Sequence, residues 1–313
     1  MASRWWKAGA LKQSGSVLSG LGVGSLVGIA LGLAGFFFLI SRHENGMGGV
    51  MFLLLPFCAG FAIAQVTGRR ETIAAAGWFA ALVSLVILVA FRREGLLCAV
   101  LAFPLLLAGL AVGGFLGYLF RKYVVQRLLH RSTGTMIVFG LIPVLIVAGH
   151  HAEESALKTV RREVVVSSIL LQATPERVWA QIQSIDSIDV AKPLLMHIGL
   201  PVPLRCTLER GGVGAKRICY FENGSIEETV TGWDPPHSMQ LIIDRTNMPG
   251  RHWLGFENAT YELQPEGSAT RLTRTTTITS HLRPVLYWRY FERLGVTSEH
   301  EYLLLDVASR LNR

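Results

Sequence analysis

Val164-Val165-Val166-Ser167-Ser168-Ile169-Leu170-Leu171, followed at once by Ala173-Thr174-Pro175-Glu176-Arg177-Val178-Trp179, is the stretch on which the fold turns. Its first eight residues are rich in β-branched and aliphatic side chains with a period of two, which suits a half-buried strand. In the second group Thr174 can cap a helix whose first position is Pro175. A strand therefore feeds a short helix, and a water-soluble unit begins here.

Downstream, after a Pro-broken stretch, residues 204–209, 215–222, 225–233, 239–244, 253–264 and 269–281 read as six further strands. Turn clusters such as Gly211-Gly212-Val213-Gly214 and Glu222-Asn223-Gly224-Ser225 join them. The connections are short enough for an antiparallel meander. Pro284 then opens an amphipathic tail over 285–311, with Gly295-Val296-Thr297 as the one place where it could break. The tail is predicted to lie across the sheet as one long helix.

Upstream the pattern is different. Half of the 313 residues are hydrophobic, and a mean hydropathy of +0.39 is too apolar for one soluble domain. Residues 20–40, 50–67, 72–91 and 95–120 are each long enough to cross a hydrocarbon core of about 30 Å. A fifth apolar run, 135–149, has only fifteen residues, so it reads either as a fifth span, to about residue 150, or as a re-entrant or interfacial segment. The first run is long for a signal sequence and lacks a small-x-small site, so it is expected to remain as an anchor. The expected domains are a transmembrane helical anchor over 1–151 with four or five spans, a linker over 152–163, and a soluble domain over 164–313.

Charge sets the orientation and excludes one class of partner. Up to Glu163 the chain has 15 Lys and Arg against 6 Asp and Glu; from Val164 on it has 15 against 16. The cations of the first half stand in pairs between apolar runs, Arg69-Arg70, Arg92-Arg93 and Arg121-Lys122, where lipid headgroups would meet them. Membrane lipids, not nucleic acid, are the expected partners. The excess of basic residues places the N-terminus inside; five crossings then put the C-terminal domain outside the cytoplasm, and four would put it inside.

Gly20, Gly24, Gly28 and Gly32 form a stripe on the first span, and Gly109, Gly113 and Gly117 form one on the fourth. Such stripes let helix backbones approach closely, either within the chain or in a homo-oligomer through the first stripe. No Asp, Glu, Lys, Arg or His lies inside the first four spans, which argues against a transporter or proton pump. His150, Glu153 and Glu154 could share a helix face as metal ligands, but a polar collar at the membrane exit is the expected reading. No metal or cofactor is expected.

The order of strand, small helices, six-stranded meander and long C-terminal helix is that of the helix-grip fold, and the residues of 164–313 resemble the START-related superfamily of polyketide cyclases, dehydrases and lipid-transfer proteins (SRPBCC). The resemblance rests on Ala173-Thr174-Pro175-Glu176-Arg177-Val178-Trp179, Gly212-Val213-Gly214-Ala215-Lys216-Arg217, Asn223-Gly224-Ser225-Ile226-Glu227-Glu228-Thr229-Val230 with Trp233-Asp234-Pro235-Pro236, and Gly267-Ser268-Ala269-Thr270-Arg271-Leu272-Thr273. The expected fold is thus a multi-helix transmembrane bundle followed by an α+β domain, its seven-stranded antiparallel sheet wrapped on a long helix. The resemblance does not extend to the membrane half. The resemblance implies a hydrophobic cavity between sheet and last helix, and with the helical anchor it implies a multi-pass protein of a bacterial inner membrane.

Strand periodicity puts Ile226, Glu228 and Val230 on one face, and Leu272, Arg274, Thr276 and Ile278 on one face of the last strand, so Glu228 is expected to meet Arg274 inside. Phe221, Trp253, Tyr261, Tyr287 and Trp288 are expected to line the rest. An exposed cross-strand pair and an ordinary aromatic core is the alternative. Cys206 and Cys219 lie equally far from the centre of the Gly211–Gly214 turn, so a symmetric hairpin sets them opposite each other, within reach of a disulfide suited to an oxidising compartment; a register slip would leave two small buried thiols instead. No Gly-x-Ser-x-Gly, Walker or zinc-protease motif occurs. The expected function is binding of a lipid, isoprenoid or polyketide-like molecule. A cyclase, dehydratase or hydrolase using Glu228 or His300 as acid or base, and a sensory module with a filled core, remain as alternatives.

Overall fold

The computed structural model describes residues 2–42, 47–67, 69–125, 131–248 and 254–313. The chain divides into two compact units at about residue 160. The first holds α1 (Ala2–Arg42), α2 (Leu55–Thr67) preceded by a π-helical turn (Val50–Leu54), α3 (Arg70–Ala90), α4 (Leu96–Phe120) and α5 (Arg131–Lys158). Five helical segments in it are long and apolar enough to cross a membrane.

The fifth span differs from the fifteen-residue run read above. Its helix continues through the polar residues after Gly149 to Lys158, giving a candidate span of 24 residues. Glu153, on that continuation, accepts a hydrogen bond from the Val50 backbone N–H at 3.1 Å and so caps the π-helical turn. Among the described residues, no group of three His, Cys, Asp or Glu could hold a metal ion.

The glycine stripes pack within the chain. A Cβ on Gly28 would stand 2.7 Å from that of Ala80, and one on Gly24 would stand 3.1 Å from that of Ala76, so α1 lies against α3. Gly109, Gly113 and Gly117 likewise face the backbone of residues 53–61. Close backbone approach supplies packing where apolar lipid leaves no hydrophobic drive between helices.

The second unit has seven antiparallel strands in the order β1-β7-β6-β5-β4-β3-β2. They are β1 (Arg161–Leu171), β2 (Pro203–Leu208), β3 (Lys216–Phe221), β4 (Gly224–Asp234), β5 (Ser238–Asn247), β6 (Leu254–Glu266) and β7 (Ala269–Ser280). Helices α6 (Pro175–Gln183) and α7 (Leu194–His197) follow β1, and α8 (Val285–Leu311) ends the chain. This is the helix-grip arrangement. Thr174 stands at the N-cap of α6 with Pro175 next, but its side chain makes no capping hydrogen bond.

Alternation decides which side faces in. On β7 every second residue from Leu272 to Ser280 is buried, and the β1 pattern matches it across the ladder. The main core joins Val178, Trp179 and Ile182 of α6 to Val230, Met239, Leu241, Ala259 and Leu272 of the sheet and to Leu304 and Val307 of α8. As the reading of one long helix has it, α8 runs unbroken for 27 residues, through Gly295 as well. One internal glycine costs a helix only about 1 kcal/mol, and burial of the apolar positions of α8 outweighs it.

Candidate functional site

Polar side chains on the inner face of the sheet form a connected buried centre. Arg217 of β3 and Glu228 of β4 are Cα partners, and Arg217 Nη1 donates to Glu228 Oε2 at 2.8 Å. Arg217 is only 1% exposed. On β7, Arg274 forms an ion pair of 3.1 Å with Glu299 of α8. The ring of Tyr261, on β6, stands between the two arginines, whose guanidinium carbons lie 5.7 and 5.3 Å from its centroid. Two cations, two carboxylates and an aromatic ring thus share one interior, where each charge keeps a partner as burial requires.

The expected contact between Glu228 and Arg274 is not made. Both point inward, but strands β5 and β6 separate β4 from β7. Three interstrand steps amount to about 14 Å of backbone, and Arg217 stands directly opposite Glu228. The two groups are coupled through space, since Glu228 helps keep Arg274 charged.

Burial opposes the charge on both arginines. Tyr261 and Glu228 more than offset it at Arg217; Glu299, Tyr261 and Glu228 do so at Arg274. Both pKa values lie above the ordinary guanidinium value. At Glu299 burial wins over Arg274, and its carboxyl is held above the usual range.

His300, the next residue on α8, is fully buried. Its Nε2 is hydrogen-bonded to Thr276 Oγ1 at 2.7 Å and its Nδ1 to Ser167 Oγ at 3.1 Å. Burial, with Arg274 nearby, pushes its pKa down to about 2. The ring is therefore neutral at physiological pH and both nitrogens are occupied, which leaves no imidazolium to act as an acid.

The aromatic residues separate into groups. Phe221 packs on Ile185, Leu303 and the Cys206–Cys219 disulfide, whose cysteines are Cα partners on β2 and β3. Tyr287 and Trp288 meet edge to face at 5.3 Å near the start of α8. Eleven residues of helix, about 16 Å, separate Trp288 from Glu299, so these rings stand at the far end of the interior. Trp253 lies outside the described residues.

Arg217 and Glu299 were not among the expected site residues. A signal for Arg217 existed: the Glu222-Asn223 turn pairs Phe221 with Gly224, and counting back from it sets Arg217 opposite Glu228. Glu299 gave no such signal, because a charged residue on an amphipathic helix reads as solvent-facing.

Residues 162–295 match the family described as polyketide cyclase / dehydrase and lipid transport. No curated protein matches the chain. Similar solved structures include a protein from Arthrobacter aurescens, 18% identical, covering 50% of this chain and 92% of its own, with a TM-score of 0.35. A START superfamily protein from Mycobacterium smegmatis is 11% identical over 48% of this chain and 97% of its own, with a TM-score of 0.36. Norcoclaurine synthase from Thalictrum flavum, in complex with dopamine and hydroxybenzaldehyde, is 15% identical over 50% of this chain and 91% of its own, with a TM-score of 0.35. The C-terminal domain, with its helix-grip fold and its match over residues 162–295, is thus a ligand-binding domain of the START-related superfamily of polyketide cyclases, dehydrases and lipid-transfer proteins.

Proposed function

We propose that the chain is a membrane-tethered binding protein that holds a hydrophobic or amphipathic small molecule, a lipid, isoprenoid or polyketide-like compound, between the sheet and α8. The buried polar centre carries this reading. Charged groups are costly to bury, and a domain that only had to be solid would fill the inner faces of β3, β4, β6 and β7 with apolar side chains. An amphipathic ligand uses both parts of such an interior, its polar end at the arginines and its apolar part along the sheet. The occupied nitrogens of His300 favour binding over acid–base turnover.

Tethering rests on the five candidate spans. With five crossings the loop charges direct the soluble domain to the outer side of a bacterial inner membrane, and a disulfide belongs in such an oxidising compartment. Val213→Cys, at an exposed turn, tests the side. A membrane-impermeant maleimide should label it in intact spheroplasts; labelling only after lysis would contradict the topology.

Hydrogen exchange of the full chain in phosphatidylcholine nanodiscs, with and without added oleate, tests the binding. Slower exchange in peptides of β3–β7 and α8 is the expected result. Unchanged exchange there, with oleate and with a total lipid extract alike, would contradict it.

A further inference from the structure

We infer that the polar end of the ligand is an oxyanion, a carboxylate or phosphate, received by Arg217 and Arg274 on either side of Tyr261. The inference deepens the binding reading above and rests on it.

The geometry comes from donors that the protein leaves unused. Arg217 spends Nη1 on Glu228 and lies against the Tyr261 hydroxyl, while its Nε and Nη2 meet no acceptor in hydrogen-bonding geometry. Those two nitrogens form one edge of the guanidinium, the edge that takes a carboxylate or phosphate through two parallel hydrogen bonds. Arg274 spends Nη2 on Glu299 and leaves Nε and Nη1 without a partner. Arg217 is 1% and Arg274 8% exposed, so bulk water is a poor source of acceptors for these N–H groups. Buried donors without acceptors are costly and uncommon in folded proteins. Four such donors on two arginines, both facing the ring of Tyr261, specify an acceptor-rich partner.

Hydrogen-bond capacity, not net charge, supports this assignment. Glu228 and Glu299 each take one guanidinium nitrogen and leave the others free, so the arginines are neutralised without being saturated. A neutral hydroxyl or ester head would meet the donors with one weak acceptor. An oxyanion supplies two or three strong ones.

The test uses the full chain in phosphatidylcholine nanodiscs and two photoreactive probes with the same diazirine-bearing hexadecyl tail, one a carboxylic acid and the other a primary alcohol. Cross-linked peptides are mapped by mass spectrometry, and unlabelled palmitate and hexadecyl phosphate serve as competitors. The acid should label peptides of β3–β7 and α8 roughly ten- to hundredfold more efficiently than the alcohol. Arg217→Lys, which keeps a cation beside Glu228 but removes the two-donor edge, should abolish most of that preference. Lys216→Gln, on the outer face of β3, should retain it. Stronger competition by palmitate assigns a carboxylate, and stronger competition by hexadecyl phosphate assigns a phosphate. Equal labelling by acid and alcohol would overturn the oxyanion while leaving the binding reading in place; no labelling of these peptides by either probe would remove both. The comparison of head groups is made in the unsubstituted protein, so it stands even if a variant fails to fold.

Discussion

Arg217 and Glu228 face each other across the β3–β4 hairpin and close a 2.8 Å ion pair inside the domain. Neither side chain reaches bulk solvent, so each depends on the other. Glu228→Leu or Arg217→Met should destabilise the soluble domain by about 3–5 kcal/mol, and the double variant Arg217→Met/Glu228→Leu by clearly less than the sum. Denaturant-dependent hydrogen exchange of β3 and β4 peptides in the full chain measures both. Additive losses would show that the pair is not coupled.

His300 should make the domain sensitive to acid. Its pKa falls from 6.5 to about 2 on folding, chiefly through burial. A depressed folded-state value means that the unfolded chain binds the proton first. The stability it contributes is therefore present above about pH 6.5 and is lost as pH falls toward 2, at up to about 1.4 kcal/mol per pH unit. Glu299, held above its ordinary value by burial, acts in the opposite direction, so the readout is the difference between the native chain and His300→Gln. That difference should shrink from pH 7 to pH 4. A difference independent of pH would show that His300 is not the titrating group.

The Cys206–Cys219 bridge spans thirteen residues of chain. Loop-closure entropy for a ring of this size is worth about 3 kcal/mol. Cys206→Ser/Cys219→Ser should lower the domain's stability by roughly that amount, and alkylation of the unreduced, denatured chain should modify Cys58 and Cys98 only. Four alkylated cysteines would contradict the bridge.

Gly295→Ala tests the continuity of α8. The added Cβ would lie 3.5 Å from Leu200 Cδ1, an ordinary contact, and alanine favours the helix by about 1 kcal/mol over glycine. Slower exchange of α8 amides is the expected result. Faster exchange would indicate that the helix needs a flexible point at Gly295.

Much of the architecture was legible because it is written in local periodicity. The four long apolar runs, the seven alternating strands and the amphipathic tail each carry their own signal, and short connections made the meander the simplest order. The inward faces of Glu228 and Arg274 were legible for the same reason. Their partners were not, because periodicity tells which face a residue takes but not which strands lie between two residues. Applying the meander order to Glu228 and Arg274 would have separated them. The long helix was legible although Gly295 lowers the local propensity, because burial of the apolar positions of α8 overrides one glycine. Glu299 carried no signal, since its inward placement depends on where α8 crosses the sheet.

Native mass spectrometry of the full chain released from detergent, followed by organic extraction and identification of what it carries, tests the central claim most directly. A defined molecule with an apolar tail, held one per chain, is the predicted result. A chain that carries only bulk membrane lipid, unchanged by added amphiphiles, would contradict a binding function for the C-terminal domain.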